Sequence, residues 1–479
     1  MPARVAICNS VLHTGHFITV GVYPKRRAGI ALVGANCAFM RKWLIGCGAL
    51  AGVALLLCVG ALVWLWVPPR IELPPRQYPP NNAYPEYRTL GEEMQRRVRS
   101  DARLQRISRA ISARQPLSAA DRAYYLQQMA PYLRRYEQLT QRPSVVVYER
   151  DPLNAPFHAF HEFAAVRGLA RIDAYFMREE LRQRRYRDAI RRAERLRRLA
   201  DQVRNGGPLI HYLVGIAVNA ISIEPIREEL PRIYDRAALE ALLQLARTYE
   251  QQRVPLWKCI EEEYYYGLNM YQQIATGRLS AEQLTDPTLE RPSERAIGWA
   301  RRILDRYLAK TAIPEYRRLM PRLIEALKQP PGKRSKRLEA DLERETRHPL
   351  NKMTIPVLAS SSKKEAQEVV VMRLIGCTAA IRLHKLRTGN YPASLEALQL
   401  GEMIIDPFSG KPFVYKTDPR KGFLLYSVSL NGVDDGGVTT YQGFAEPSGD
   451  LSPVKVPLPE HLKGTPRQQW PPIAPIWLR

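Results

Sequence analysis

Apolar and polar positions follow different patterns along this 479-residue chain, and each pattern predicts a different kind of element. From Trp43 to Val67 the chain carries no charged residue and is almost wholly apolar. Such a run is long enough to cross a bilayer as a helix, which needs about 20 residues. Arg41 and Lys42 precede it, and tryptophans stand at both ends, as in the aromatic belts of membrane proteins. We predict a transmembrane helix over 40–67, with the N-terminus in the cytoplasm.

After this run, apolar residues recur at intervals of three and four, which is typical of helices that pack against one another. Runs with this spacing are 119–136, 159–199, 209–223, 237–251 and 293–308. We predict a large all-α domain over 86–329. A solenoid of helical hairpins and an irregular bundle both fit, because the tetratricopeptide-like unit at 167–199 has no convincing second copy.

Segments rich in proline or charge flank the helical region. The prolines of 68–85 predict a semi-extended linker, and 330–350 is expected to be a charged linker. Residues 446–479 are predicted to be a proline-rich tail with little structure of its own. Residues 1–39 are expected to be a short cytoplasmic tail or an over-called translation start.

Near the C-terminus the pattern changes from helix to hairpin. An amphipathic helix follows Lys364, and Gly389-Asn390 and Tyr391-Pro392 are expected to end it. Two β-rich runs, Phe413–Lys416 and Phe423–Val428, are separated by a turn that contains Pro419 and Gly422. This order predicts a long helix with a small antiparallel hairpin packed on it.

Three further motifs accompany the hairpin: Asp406-Pro407-Phe408-Ser409-Gly410-Lys411-Pro412, Leu425-Tyr426-Ser427, and Asn431-Gly432-Val433-Asp434-Asp435-Gly436-Gly437. Together with the helix, their order resembles the periplasmic domain of the major pseudopilins of type II secretion systems. The resemblance covers residues 364–442 and implies a pseudopilin-like domain over 351–445. The fold class expected for the whole chain is therefore α+β.

In that family the loop after the Tyr-Ser pair holds a calcium ion. Here the resemblance points to Ser427, Asn431, Asp434 and Asp435, and calcium prefers such oxygen ligands. The family has an aspartate where this chain has Asn431, and another farther on, where this chain has Val438-Thr439-Thr440. The resemblance thus implies a weaker or empty site. The alternative is that these residues only form turns, since Asn, Asp and Gly accept turn geometry.

The position of the pseudopilin-like segment departs from the family. Pseudopilins begin with a leader and a hydrophobic helix that continues into the soluble domain. Here the segment comes more than 280 residues after the predicted membrane helix, so it cannot be assembled through the family's own N-terminal helix. It is either a module for docking to a secretion or pilus machine or a scaffold reused elsewhere, and fold similarity does not decide between them.

Charge and cysteine content exclude several classes of function. The net charge is +25, but the arginines of 167–204 alternate with acids at helical spacing, as on a solvated face with ion pairs. We therefore expect no nucleic-acid partner and favour anionic lipid headgroups or envelope polymers as the contacts of this charge. After the membrane helix only Cys259 and Cys377 remain, which excludes a disulfide framework or a zinc cluster.

Two groups of residues were considered for catalysis. His158, His161 and Glu162 have the wrong order for a zinc protease motif. The run Glu261–Tyr266 could serve acid–base chemistry, but a helix with an acidic face and an aromatic face explains it more simply. We predict no enzyme. The expected protein is a single-pass scaffold or docking protein of the bacterial inner membrane, with extracytoplasmic domains and partners in a type II secretion or type IV pilus-like apparatus. The alternatives are a membrane-anchored enzyme with its active site in the helical domain, and a solenoid that binds peptides or envelope polymers.

Overall fold

The computed structural model describes residues 32–113, 115–148, 150, 158–281, 298–335, 337–441, 449–462, 465–466 and 470–479. The chain forms two compact units, Met1–Trp66 and Val67–Arg479. Helices dominate the described residues, which also contain a two-stranded antiparallel sheet. The α+β class predicted from the sequence is confirmed at this level.

The first unit contains helix α1 (Leu32–Trp66), which begins before the predicted start at residue 40. Its segment Ala49–Trp66 has a mean hydropathy of 2.4 and is long enough to cross a membrane. Leu209–Arg232 passes the same test with a mean hydropathy of 1.5, but 61% of it is buried inside the protein. Burial of this kind is expected of a core helix. Membrane anchoring is thus compatible with α1.

The second unit begins with an extended segment, Val67–Ala83, as its prolines predict. The segment is packed against the helices that follow, because Ile71 and Leu73 contact a buried apolar cluster. The Arg76 guanidinium also donates to the carbonyls of Val146 and Gly206 at 2.5 and 2.7 Å. These contacts make it part of the folded unit and not a free spacer.

Eleven helices are described in this unit. They are α2 (Tyr84–Arg99), α3 (Ala102–Ser112), α4 (Ala119–Leu139), α5 (His158–Arg182), α6 (Tyr186–Arg204), α7 (Leu209–Glu229), α8 (Arg236–Gln252), α9 (Leu256–Ala275), α10 (Trp299–Lys328), α11 (Leu338–Glu345) and α12 (Pro349–Thr388). Side-chain caps start several of them: Asp101, Ser118 and Asp235 accept from the backbone N–H three residues on.

Neighbouring helices pack in chain order at first, with α5 on α6, α6 on α7 and α9 on α10. Helix α12 breaks this order, because it packs on α8 and also contacts α7 and α10. A solenoid joins only sequence neighbours. The described contacts are therefore those of a bundle in which the last helix lies across earlier ones.

Helix α12 is longer than the sequence suggested. It begins at Pro349, includes the predicted start at Lys364, and ends at Gly389, whose φ of 82° is the left-handed cap expected there. Gly376 lets α12 approach α8 closely, since a Cβ at this position would lie 2.7 Å from the Cβ of Ala246. A larger residue at 376 would therefore force the two helices apart.

The predicted hairpin is present. Strands β1 (Val414–Asp418) and β2 (Gly422–Tyr426) pair antiparallel, with Val414 opposite Tyr426 and Asp418 opposite Gly422. The Asp418 carboxylate closes the turn by accepting from the backbone N–H groups of Arg420 and Lys421, both at 2.8 Å. All five residues of β2 are buried, whereas β1 is partly exposed.

Two segments predicted as linker or tail are folded. The charged linker at 330–350 contains α11, which buries Leu342 against the helices around it. The described residues of the predicted tail at 446–479 include the buried Leu451, Val454 and Leu478, and short bridges pair them with β2 and the residues that follow. The sequence does not predict these contacts, because both segments are rich in proline or charge. Their apolar residues are few, and the partners of those residues are distant in sequence.

The boundary expected near residue 350 does not separate two cores. One buried cluster contains Ile190 and Leu239 from the helical region, Ile375 from α12, Phe423 from the hairpin and Leu478 from the tail. Each such buried aliphatic or aromatic side chain contributes about 1.5–3 kcal/mol. The helical region and the described residues of 351–445 therefore share one hydrophobic core.

Candidate functional site

The four residues predicted for calcium lie at and after the end of β2. Ser427 is buried, and its Oγ accepts from the N–H of Ser429 at 3.0 Å. Asn431 donates to Oδ2 of Asp435 at 2.8 Å. Asp434 Oδ1 accepts from the Tyr426 hydroxyl at 2.7 Å and from the N–H of Gly436 at 2.9 Å. The structure thus gathers Asn431, Asp434 and Asp435 in one exposed loop and leaves Ser427 beneath it.

Asp450 is a further acid at this loop that the sequence analysis missed. Its Oδ2 accepts from the N–H of Gly437 at 2.7 Å, whereas its buried Oδ1 has no hydrogen-bond partner among the described residues. Burial raises the pKa of Asp450 to about 6, and the charges of Asp435 and Asp434 add to this effect. Asp450 belongs to the segment predicted as a tail, which folds back to the loop through the bridge between Ser427 and Leu451.

The hydrogen bond from Tyr426, with that from Gly436, holds the pKa of Asp434 below its usual range, so this carboxylate is ionised at neutral pH. Across the described parts of the chain, no group of three or more His, Cys, Asp or Glu side chains is assembled to hold a metal. One observation at this loop fits a cation: Oδ1 of Asp450 is buried without a hydrogen-bond partner among the described residues, and the charges of Asp435 and Asp434 act on this carboxyl group. A hard, oxygen-bound ion such as calcium matches that chemistry.

Asp406, from the first motif after the long helix, is a structural residue. It is buried, its Oδ1 accepts from the N–H of Phe408 at 2.9 Å, and its Oδ2 accepts from the N–H of Val428 at 3.1 Å. Burial raises its pKa, an effect that these hydrogen bonds oppose. The side chain ties the 406–412 turn to the end of β2.

The groups considered for catalysis lie on α5 and α9. The side chains of His158 and His161 are outside the described residues. Burial raises the pKa of Glu162, and Tyr84 lowers it in part. Glu262 accepts from the Arg150 guanidinium at 2.9 Å and from the Tyr148 hydroxyl at 2.8 Å.

Glu263 and His211 are also buried. Glu263 Oε2 accepts from the N–H of Leu209 at 2.9 Å and caps the start of α7. The His211 ring lies 4.9 Å from that of Phe163 and 6.0 Å from that of Tyr148, between centroids. Burial, helped by Arg76, lowers the pKa of His211 to about 3, so it is neutral at physiological pH. The carboxylates of Glu262 and Glu263 are used in structural contacts.

A buried network of charges joins α12 to the helical region. Glu368 accepts from Arg204 at 2.6 Å and from Asn219 at 2.7 Å, and both charged side chains are almost fully buried. Glu365 accepts from Arg253 at 2.6 Å and also pairs with Arg334. The sequence predicted ion pairs on a solvated face, but nothing in its pattern marks these pairs as buried.

A small cleft lies between the ends of α3, α5 and α7. It encloses about 210 Å³, and Tyr175, Arg178 and Arg182 line one side opposite Glu228 and Glu229. Ligand pockets usually enclose about 300–1,000 Å³. The cleft is thus smaller than the usual small-molecule pocket.

Both cysteines of the second unit are buried free thiols. Cys259 donates to the Arg204 carbonyl at 3.3 Å and Cys377 to the Met403 carbonyl at 3.4 Å. Burial raises the pKa of Cys377 to about 12 and that of Cys259 still higher. Neither is a reactive thiolate.

No family profile, curated protein or solved structure matches this chain.

Proposed function

We propose that this protein is a membrane-anchored extracytoplasmic scaffold whose C-terminal segment docks to subunits of a type II secretion or type IV pilus-like apparatus. The observation that supports this most is the burial of α12 in the helical region. The helix of the pseudopilin-like segment is therefore occupied within this chain. The hairpin and the acidic loop of the segment remain available to a partner, and the shared core holds them rigidly.

Exposed residues define this docking surface. Lys416 and Thr417 on β1 and Arg420 and Lys421 in the turn are exposed, and the loop presents Val433 with 55% of its surface accessible. The basic side chains of the hairpin and the acids of the loop give this surface charges of both signs, which can orient a partner of complementary charge. The enzyme alternative has less support, because Glu262 and Glu263 are held by structural partners.

The docking proposal predicts crosslinks from this surface alone. A photoreactive amino acid at 416 or at 433 should crosslink secretin, assembly-platform or pseudopilin subunits in native membranes. The matched control is position 126, since Leu126 is similarly exposed on α4. Equal crosslinking yields from positions 126 and 433 would contradict the proposal. So would the absence of secretion subunits from the crosslinks of both 416 and 433. Deleting 364–441 is unsuitable as a test, because it removes most of α12 from the shared core.

We further propose that the loop binds calcium weakly, with oxygens from Asp434, Asp435 and Asp450 and from Asn431. Sites of this kind in extracellular modules bind calcium at about 10⁻⁴–10⁻³ M. Burial is the main cause of the raised pKa of Asp450, and the ion would neutralise the repulsion from Asp435 and Asp434 that adds to it. It would also fix the loop for docking.

The Asp450→Asn variant tests this site, because it should change how the stability of the protein depends both on pH and on calcium. Because the folded-state pKa of about 6 lies above that of an unfolded aspartate, the stability contributed by this group falls as pH rises from about 4 to 6. Without calcium, the variant should be more stable at neutral pH by on the order of 1 kcal/mol. About 10 mM calcium should stabilise the wild type by about 1–3 kcal/mol and the variant by much less.

Chemical denaturation of the full-length protein measures both effects. Asp418→Asn is the control, because Asp418 closes the hairpin turn away from the loop. Equal calcium stabilisation of wild type and Asp450→Asn would rule out the site, and so would none in the wild type.

A further inference from the structure

The turn of the hairpin carries two exposed cations. Arg420 and Lys421 lie between β1 and β2, and both side chains are exposed. The acid of this turn is Asp418, whose carboxylate accepts from the backbone N–H groups of both residues at 2.8 Å. These bonds and the charge of Lys421 lower the pKa of Asp418, so it is ionised at neutral pH. Two positive charges thus stand against one negative charge.

A short extended stretch of chain, residues 477–479, lies beside this turn. Leu478 pairs with Phe423 of β2 through two backbone hydrogen bonds of 2.7 and 2.8 Å. The two backbones approach closely at Gly422, whose φ is 109°, because a Cβ at this position would overlap the carbonyl oxygen of Leu478. The glycine at 422 therefore allows the stretch to lie against the turn.

This pairing turns Trp477 and Arg479 away from the core. Successive side chains of an extended backbone point to opposite sides, and the side chain between these two, Leu478, is buried. The half-buried Trp477 ring has the Lys421 ammonium 5.6 Å from its centroid. The exposed guanidinium of Arg479 donates to the carbonyl of Arg420 at 3.2 Å. We call the side chains of Arg420, Lys421, Trp477 and Arg479 the Trp477 surface.

The Trp477 surface is positively charged overall. Its three cations exceed the single acid of the turn by two, and among the described residues no salt bridge involves any of the three. Tryptophan and arginine are enriched among the residues that contribute most to the affinity of protein interfaces. A guanidinium group also binds a carboxylate through two parallel hydrogen bonds, which fixes the direction of approach. The surface therefore fits a ligand that carries carboxylates next to apolar groups.

We propose that the Trp477 surface binds an acidic segment of a protein partner. Carboxylates of the segment pair with the guanidinium groups of Arg420 and Arg479, and an apolar side chain of the segment packs on the accessible part of the Trp477 ring. This inference rests on the docking function proposed above, and it names the class of partner that the turn of the hairpin takes.

The test uses the full-length protein in detergent and a fluorescent peptide in which glutamate alternates with alanine. A matched peptide has glutamine in place of glutamate, and fluorescence anisotropy measures the binding of both. We expect the glutamate peptide alone to bind, with an affinity that falls as salt rises. Trp477→Ala should weaken this binding about thirtyfold, as the truncation of a residue that dominates an interface does. Thermal unfolding of the variant checks that it remains folded.

Two double variants separate this surface from the net charge of +25. Arg420→Gln with Arg479→Gln should weaken binding of the glutamate peptide at least about tenfold, because it removes two charge-assisted contacts. Arg184→Gln with Arg187→Gln removes two exposed arginines around the α5–α6 turn and should keep the full affinity. Equal losses in the two double variants would overturn the proposal, since they would show an effect of net charge alone.

Three further outcomes would also decide the matter. Equal binding of the two peptides, or no binding of either, would overturn the proposal. Tighter binding of inorganic polyphosphate than of the glutamate peptide would overturn it as well, because the surface would then select phosphate. Peptide binding with the expected losses, but without secretion subunits in the crosslinks from positions 416 and 433, would support this surface and contradict only the secretion partner.

Discussion

Glu365→Ala is expected to destabilise the second unit by about 3–5 kcal/mol, because it leaves two buried arginines without their carboxylate. Glu365 is fully buried and pairs with Arg253 after α8 and with Arg334 before α11. It also accepts from the N–H of Leu256 at the start of α9. One side chain of α12 thus holds three segments of the helical region.

The pairing of Glu365 with Arg253 and Arg334 also predicts that the stability of the protein depends on pH. Burial alone would raise the pKa of Glu365, but Arg334 and Arg253 hold it below its usual range. The folded protein therefore binds this proton less tightly than the unfolded chain. The stability that Glu365 supplies is present above about pH 4.3, the pKa of an unfolded glutamate, and is lost as the pH falls below it.

Denaturant unfolding of full-length variants measures the effect. Glu402→Ala is the matched control, since Glu402 forms an exposed pair with Lys333 and such pairs contribute about 0–1 kcal/mol. Glu365→Ala combined with Arg253→Met and Arg334→Met should recover much of the loss, because apolar replacements remove the stranded charges. A cost for Glu365→Ala no larger than for Glu402→Ala would contradict the role given to this residue.

Removing residues 450–479 is expected to unfold the second unit or bring it close to unfolding. The deletion exposes the partners of Leu451, Val454 and Leu478, at about 2 kcal/mol for each. It also removes the carbonyls of Ser452 and Pro453, which accept from the buried guanidinium of Arg227. These losses approach the whole stability of a typical protein, about 5–15 kcal/mol.

A truncated protein that fails to express would not show how much the segment stabilises the fold. Single substitutions measure this contribution in proteins of full length. Leu478→Ala should cost about 2–5 kcal/mol, and Pro457→Ala, at an exposed position of the same segment, should cost less than about 0.5 kcal/mol. Thermal unfolding in one detergent compares the two. If the truncated protein unfolds at the same temperature as the wild type, the segment is a tail after all.

The sequence alone predicts those elements that depend on residues close together in the chain. Gly389 ends α12 because a left-handed residue is required there, and the hairpin follows from two β-rich runs around a turn. The run that ends at Trp66 is apolar enough to be recognised by composition. These features depend on residues that are close in sequence.

Contacts between distant residues were not predictable in the same way. Leu478 pairs with Phe423, and its proline-rich surroundings contain no periodic pattern. Asp450 reaches the acidic loop only because the tail folds back to Ser427. Arg204 and Glu368 look like surface residues by type, and only the crossing of α12 over α7 and α8 buries them.

The central claim is that the C-terminal segment from α12 to the acidic loop and the helical region are one folded body that presents the hairpin and loop. Hydrogen exchange of the full-length protein at increasing denaturant tests it most directly, since it follows the opening of each segment separately. We predict that peptides from α8, from residues 365–382 of α12 and from β2 lose protection together. Loss of protection in α12 and β2 while α8 remains protected would show two separate domains and contradict the account.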